Sequence, residues 1–530
     1  MGNNSLYYGD NLVWLREQKY FSDGLVDLIY LDPPFNSNAD YNVIFNELTG
    51  VESQAQLRAF DDTWRWDSNA SGTAQRELAH KLPELSEFIG WLGKQRGRTY
   101  KSMAAYLSMM AIRLVELHRV LKPTGSIYLH CDSTASHYLK MIMDSIFGAD
   151  NFRNEIVWKR FNFHADAKRF GRISDRILLY SKSPDYTFNR LRVDFSKKYK
   201  ESKFTHYEPD GRRFRLSDLN PPAGRGPVYE YHGVTRPWRY TRDKMLELES
   251  EGRIYTDSKI PQLKRYLHEL SGQAIPDMWS DIPLINSRAK ERLGYPTQKP
   301  VSLLKRIISA SSNEGEVVFD PFCGCGTALI AANELKRRWI GIDITYLAIF
   351  LIEQRLKDSF GEPIKDSYTV YGNPEDVESA QALWNKSPKE FELWALRLVD
   401  AKPRPQDGGV DGVLGFVDEG RQTKKIVVQV KGGEHLAPTI MRDLRGTRND
   451  EKAVMALLIT LHEPTSGMVE HAVHSEPYCS PLWSKSFPSI QIRTIRELLI
   501  EHKGFDLPPQ VTMLKQAERI KEQGYVEPML

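Results

Sequence analysis

The chain has 530 residues, 41% of them hydrophobic and 27% charged, which is enough apolar material for more than one core and excludes a largely disordered protein. Its 72 basic and 69 acidic residues leave a formal charge of only +3, so the total says nothing about partners and only local clusters can. Four cysteines are too few for a disulfide framework, no run approaches the roughly 18 apolar residues of a membrane span, and Met1 to Asp10 lacks a signal-peptide pattern; together these predict a reducing, cytoplasmic setting with no membrane.

In chain order, Leu25 to Leu31 is an apolar run of strand length. Tyr106 to Val115 has helical periodicity closed by Lys122-Pro123-Thr124-Gly125, and Gly125 to Cys131 reads as a second buried strand. Strand, helix and strand in that order predict a doubly wound, parallel α/β sheet. Asp61 to Trp66 falls in a polar, aromatic insertion. From Arg153 to Arg215 there are 17 Lys/Arg against 8 Asp/Glu, interleaved with Phe161, Phe163, Tyr180, Tyr199, Phe204 and Phe214. Such an insert suits nucleic acid, because cations neutralise phosphates and rings stack on bases; packed aromatics under a solvated surface are the plainer alternative. The α/β pattern returns with a strand at Glu316 to Phe319, a turn, a helix from Thr327 and a strand at Arg338 to Ile342. After a linker, a smaller α/β region begins near Phe391. The expected divisions are 1–154, 155–290 for the basic insert, 291–370 as a return to the first domain, 388–505, and a tail at 506–530.

Two turns carry the chemistry. Asp320-Pro321-Phe322-Cys323-Gly324-Cys325-Gly326-Thr327 joins a strand to a helix, where glycine permits a sharp turn and close approach of backbone to ligand. Asp343 ends the next strand, where an acid accepts hydrogen bonds from ribose hydroxyls. The third glycine of a dinucleotide fingerprint is absent, Leu329 standing in its place, and no Gly-Lys-Ser/Thr follows for a P-loop. A nucleoside cofactor without a pyrophosphate fits better, and a tight structural turn is the alternative. Asp32-Pro33-Pro34-Phe35 follows the first strand. Its prolines fix φ and remove amide donors, leaving carbonyl oxygens at the sheet edge beside a carboxylate and a flat ring. Such acceptors hold an exocyclic amine and make its nitrogen nucleophilic, once the base has left its stack.

Asp32 to Phe35, then the basic insert, then Tyr295-Pro296-Thr297-Gln298-Lys299-Pro300, then Asp320 to Thr327, resembles the β-class, permuted amino-methyltransferases of DNA from restriction–modification systems. The resemblance spans roughly residues 5 to 357. It implies an S-adenosylmethionine-dependent enzyme acting on double-stranded DNA, with 1–154 and 291–370 as the methyltransferase and 155–290 as its target-recognition region. It implies catalysis at Asp32, Pro33, Pro34 and Phe35, and cofactor binding at Asp320, Phe322, Gly324, Gly326, Thr327 and Asp343. Tyr8-Gly9-Asp10-Asn11 resembles the segment whose acid approaches the cofactor adenine, which makes Asp10 an expected contact, while Thr297 and Lys299 fall near the methionine end, with Lys299 expected to pair with the cofactor carboxylate. Asp at the first catalytic position favours adenine N6, with cytosine N4 and a catalytically silent DNA-binding protein as alternatives.

Farther on, Asp411 precedes a strand and Lys425 to Lys431 reads as its hairpin partner, with Gln429 and Lys431 on one face. Asp411 is expected opposite Val430 and Lys431. An acid beside a lysine holds a divalent metal and polarises water. Residues 388–500 resemble the PD-(D/E)xK nuclease fold in its Mrr-like variant, where Gln429 stands for the second acid. The resemblance implies Mg2+ at Asp411 and Glu392, with Gln429 and Lys431, and a homodimer or a restriction subunit as partner; an inactive nuclease-like domain that only helps grip DNA is the alternative.

Overall fold

The computed structural model describes residues 4–34, 68–161, 168, 170–286, 289, 291–293, 295, 297–404, 409–418 and 423–511. Phe35 and the insertion at Asp61 to Trp66 lie outside them. Apolar runs make the central strands: β1 (Asn4–Tyr8), β2 (Val26–Leu31), β3 (Leu121–Cys131), β4 (Phe152–Lys159), β5 (Ser174–Ser181), β6 (Met278–Trp279), β7 (Val317–Asp320), β8 (Arg338–Asp343) and β9 (Tyr368–Tyr371). They form one sheet in the order β6-β4-β5-β3-β2-β7-β8-β1-β9. From β9 through β3 every pairing is parallel; β5 runs back, antiparallel to both β3 and β4. All residues of β2 and of β7 are buried, as expected of parallel strands covered by helices on both faces. The helix expected to close at Lys122 to Gly125 ends at Val120, and β3 already begins at Leu121. Leu121 pairs with Val26 across an irregularity in the ladder, and Lys122 reaches the Asp27 carboxylate at 2.7 Å, so the helix Arg98–Val120 passes into the strand without an intervening loop.

Val26, Ile29 and Leu31 pack with Leu107, Met110 and Leu114 of that helix in one cluster. The helix Val301–Ser311 buries Leu303, Leu304, Ile307 and Ile308. The crossover helices relevant to the site are α1 (Asn11–Arg16), α2 (Thr327–Glu334) and α3 (Tyr346–Phe360).

Beyond β9, α4 (Pro388–Arg397) precedes a second sheet. Its main strands are β10 (Gly412–Val417), β11 (Thr423–Lys431), β12 (Met455–Thr460) and β13 (Ile490–Thr494), with β10 and β11 antiparallel and the rest parallel. Phe391 and Trp394 of α4 join Val428, Leu457 and Ile459 in a cluster that also contains Tyr346 of α3. The first and second sheets therefore share apolar core.

Arg190–Pro276 forms a separate compact unit. Its four-stranded sheet and the helix Arg242–Ser250 enclose Leu219, Trp238, Met245, Leu248 and Leu263. Here the basic, aromatic composition takes physical form: the guanidiniums of Arg212 and Arg253 lie over the Tyr266 ring, and Lys264 lies over Phe214. Arg215 and Arg265 stand opposite each other on neighbouring strands. Among the described residues no helix is long and apolar enough to cross a membrane.

Candidate active site

The two turns singled out in the sequence leave neighbouring strands. β2 and β7 pair in parallel with Ile29 beside Phe319, so Asp32, just past β2, and Asp320, at the end of β7, emerge at the same carboxyl edge. From β2 the chain crosses to β3 on one side, and from β7 it crosses to β8 on the other. That divergence is the switch point at which open parallel sheets leave a crevice for ligands. Asp320 is 4% exposed. Burial, with Asp32 and Asp343 as neighbouring charges, holds its carboxyl well above the usual range, and its side chain accepts from the Phe322 N–H at 3.1 Å. Phe322 itself packs, half-buried, against the main core.

The glycine turn is fixed by its backbone and by Asp343. The Gly324 N–H donates to Asp343 Oδ2 at 2.9 Å, while Thr345 donates to Oδ1 through both its N–H and its hydroxyl. Burial pushes the Asp343 carboxyl up to about 6. Gly324 and Gly326 have φ of +50° and +73°, in the left-handed region that favours glycine. A Cβ on Gly324 would stand 3.1 Å from the Tyr295 ring, and one on Gly326 only 2.8 Å from Ile352. Gly326 caps α2. Thr327 begins that helix with its hydroxyl accepting from buried Arg355 at 3.0 Å. Cys323 and Cys325 are buried in the turn, and burial pushes both thiols up.

Asp10 has a structural occupation. It caps α1 by accepting from the Leu12 N–H at 2.8 Å and takes both of its oxygens to Arg113, at 2.8 and 3.0 Å. Arg113 also holds Asn11 Oδ1 at 2.7 Å, and Asn11 Nδ2 donates to the Pro321 carbonyl at 2.8 Å. This chain of bonds ties α1 to the cofactor-type turn. Neither Arg113 nor Asn11 was singled out in the sequence, because their partners lie 102 and 310 positions away.

Lys299 is buried and its ammonium pairs with Asp32 Oδ2, with a second, longer contact to the Thr297 carbonyl at 3.4 Å. The Thr297 side chain is exposed. The lysine expected at a cofactor carboxylate thus stands against the Asp of the Asp-Pro-Pro turn. Pro33 is buried and Pro34 half-buried. Beneath the turn, Tyr30 shares a hydrogen bond of 2.9 Å with His130 Nδ1, and His130 Nε2 lies 3.0 Å from Asp175. His130 and Asp175 are fully buried, and His130 with Arg160 holds the Asp175 carboxyl below its ordinary value.

In the second sheet, Gly412 pairs with Val428, which leaves Asp411 one step beyond. The Asp411 N–H donates to the Val428 carbonyl at 2.9 Å, and its carboxylate accepts from the Val430 N–H at 2.7 Å. The strand register is thus shifted from the expected pairing with Val430 and Lys431: the side chain, not the ladder, makes that approach. Burial raises both Asp411 and Glu392; Glu392 reaches about 7, with Asp411 as the next contributor and Lys389 and Lys431 opposing. Gln429 is buried and its Oε1 has no hydrogen-bond partner among the described residues. Glu392 thus lies within the electrostatic range of Asp411 and Lys431, and no group of three His, Cys, Asp or Glu that could hold a metal forms among the described residues.

A DNA methylase family model matches residues 26–349, and a restriction endonuclease model matches 386–477. Type II methyltransferase M.EcaI of Enterobacter cloacae is 32% identical over 290 residues, covering 53% of this chain and 64% of that protein. The Mod subunit of the type III restriction-modification enzyme StyLTI from Salmonella typhimurium is 30% identical over 358 residues, covering 63% of this chain and 50% of its own length. DNA adenine methyltransferase YhdJ of Escherichia coli is 24% identical over 344 residues, covering 64% of this chain and 78% of that one. This chain spans less than two thirds of the length of the first two relatives. With more than half of its length matched, the chain belongs to the N6/N4 DNA methylase family, joined to a restriction-endonuclease-like region.

Proposed function

We propose that the chain methylates an exocyclic amine in double-stranded DNA, adenine N6 ahead of cytosine N4, with S-adenosylmethionine as donor. The observation that carries this is the emergence of Asp32 and the glycine turn from paired strands at the switch point. The residues present fit the donor: the turn has no room for side chains at Gly324 and Gly326, and Asp343 stands at the strand end to accept ribose hydroxyls. Asp10, Thr297, Asp320, Phe322 and Thr327 complete the expected cofactor side. When bound, S-adenosylmethionine supplies an electrophilic methyl group to the amine nitrogen and leaves as S-adenosylhomocysteine.

The chain's own work is to hold and deprotonate the amine. Lys299 occupies one oxygen of Asp32, and the other faces a substrate N–H, with the Pro33 carbonyl as a second acceptor. Two acceptors draw the nitrogen lone pair out of conjugation with the ring, and the proton displaced from nitrogen passes to Asp32 and on to solvent. Phe35 supplies the stacking face for a base removed from its helix, which costs a few kcal/mol. The basic unit at Arg190–Pro276, within the 155–290 insert, supplies cations and rings for the duplex. Similarity to the DNA adenine methyltransferase YhdJ supports adenine as the target.

For the second region we infer Mg2+-assisted phosphodiester hydrolysis. Two half-buried carboxyls and an amide oxygen with no partner among the described residues are hard donors that suit such an ion, and the charge of Lys431 acts on both carboxyls. Similarity to a Mod subunit supports a restriction subunit as partner, with a second copy of this chain as the alternative, in a cytoplasmic setting.

Tritiated methyl transfer to duplex DNA, followed by nucleoside mass spectrometry, tests the first activity. N6-methyladenine formed by the wild type and lost in Asp32→Ala is expected. N4-methylcytosine would reassign the base, and donor binding without transfer across diverse genomic DNA would favour a silent DNA-binding protein. Mg2+-dependent nicking that persists in Lys431→Ala would remove the nuclease site.

A further inference from the structure

Helix α4 lies in the endonuclease-like segment, yet it places a carboxylate against the methyltransferase half. Glu390 is 5% exposed. Its Oε2 accepts from the Tyr346 N–H at 2.8 Å, while its Oε1 is buried with no hydrogen-bond partner among the described residues. Tyr346 opens α3, three residues after Asp343 ends β8. Its ring stacks on Tyr8, with centroids 3.6 Å apart. Tyr8 ends β1, and the next N–H, that of Gly9, donates to the Asp343 carbonyl at 2.9 Å. Arg397, at the far end of α4, pairs with both carboxylate oxygens of Glu353 on α3, one of them at 2.8 Å.

A buried carboxyl with one oxygen unpaired is costly in a plain packing interface, where an apolar side chain would serve better. At the N-terminus of α3 it has a use. The first amides of a helix have no partner within the helix, and an anion there is favoured by the aligned peptide dipoles. Thr345 takes the Ala348 N–H at 3.2 Å, and Glu390 takes that of Tyr346. The charged groups that act on Glu390 are Asp343, which raises its proton affinity, and Lys386 and Lys389, which lower it; burial is the larger influence and lifts it to about 7. Tyr8 lies within reach of both carboxyls.

We propose that Glu390 is a positioning residue for the nucleoside end of the donor site, contributed to the methyltransferase half by the endonuclease-like region. This rests on Asp343 as the ribose acid. Glu390 fixes the first amide of α3 and thereby the short turn on which Asp343 and its partner Thr345 sit. Two residues along the same helix, and so about 200° around it, Glu392 pairs with Lys389 and feels the charges of Asp411 and Lys431. The donor site and the nuclease-like cluster are therefore bordered by opposite faces of one helix.

The test uses the full-length chain. Glu390→Ala is expected to raise the dissociation constant for S-adenosylhomocysteine, and KM for the donor, by about tenfold, the weight of one hydrogen bond to a charged group, and to spare kcat at saturating donor. Glu390→Gln keeps an acceptor for the Tyr346 N–H and restores most of the affinity. A measurement on the wild type guards against misfolding of the alanine variant: S-adenosylhomocysteine should slow amide hydrogen exchange at 388–397 as well as at 343–350. Wild-type affinity in folded Glu390→Ala, or protection at 343–350 without any at 388–397, would overturn the proposal. A wild type that binds no donor overturns the cofactor assignment itself, and this inference with it.

Discussion

Gly326→Ala is the sharpest perturbation of the turn, because its cost can be worked from coordinates. At φ +73° an alanine pays about 1–2 kcal/mol for the left-handed backbone. Its Cβ would stand 2.8 Å from Ile352 Cγ1, where carbon atoms prefer about 3.5–4.0 Å. Ile352 is fully buried on α3 and cannot swing away, so overpacking adds about 1–3 kcal/mol. The expected total is about 2–5 kcal/mol, concentrated where α2 begins. Hydrogen exchange of the amides of Thr327–Glu334 reports it as a local opening free energy, which suits a chain too large for two-state unfolding. The separating experiment adds Ile352→Ala. That change alone opens a cavity and destabilises, but in combination it removes the obstructing atom and leaves only the backbone term. The double variant should therefore cost about 1–3 kcal/mol less than the sum of the two singles. Additivity to within about 0.5 kcal/mol would show that Ile352 is not what demands glycine there, and the steric account of the turn would fall.

Two further outcomes bear on the site. Lys299 and Asp32 are 10% and 14% exposed, so Lys299→Met leaves a nearly buried carboxylate without its cation, at a cost of about 3 kcal/mol; methyl-transfer kcat should drop about a hundredfold while donor affinity stays within about twofold. The reverse pattern, weak donor binding with intact kcat, would restore the cofactor carboxylate as the partner of Lys299. Asp343 holds its proton up to about pH 6 in the free protein, so its contribution to folding stability falls as pH rises between about 4 and 6. Ribose hydroxyls donate to the ionised form, so donor affinity should rise over the same range, with proton release on binding near pH 6 that fades by pH 8. Calorimetry in buffers of different ionisation enthalpy reads this directly, and proton uptake near pH 6 would contradict it.

What could be seen in the sequence was whatever repeats locally or is fixed by covalent geometry. The buried strands β2 and β7 announce themselves as unbroken apolar runs, and the Asp-Pro-Pro and glycine turns follow from residues whose φ is restricted or freed. Where a ladder determines the outcome, local signals fail. Lys122-Pro123-Thr124-Gly125 has the composition of a turn, yet Val26 and Asp27 draw it into β3. Asp411 misses its expected register by the same kind of tertiary decision, a Gly412–Val428 pairing that composition does not encode.

Charge partners are the least legible of all, since an ion pair leaves no periodic trace. Lys299 looks like a lysine at a helix start, and only its meeting with Asp32, 267 positions away, makes it part of the reaction turn. Asp10 matches a cofactor-contact motif while its oxygens are taken by Arg113 and a helix cap. Both cases point the same way. A motif tells which strand end a residue occupies, but the low-dielectric crevice pairs each buried carboxylate with the nearest cation or amide that the fold brings to it. Four of the described acids differ accordingly: Asp32 faces an ammonium, Asp343 three donors of its own backbone and side-chain surroundings, Asp320 a single amide, and Glu390 one amide from the opposite half of the chain. Asp320 and Glu390, the two with least compensation, are held at the end of β7 and on a helix in the shared core, where the surrounding packing, and not solvent, must carry the cost of keeping them buried.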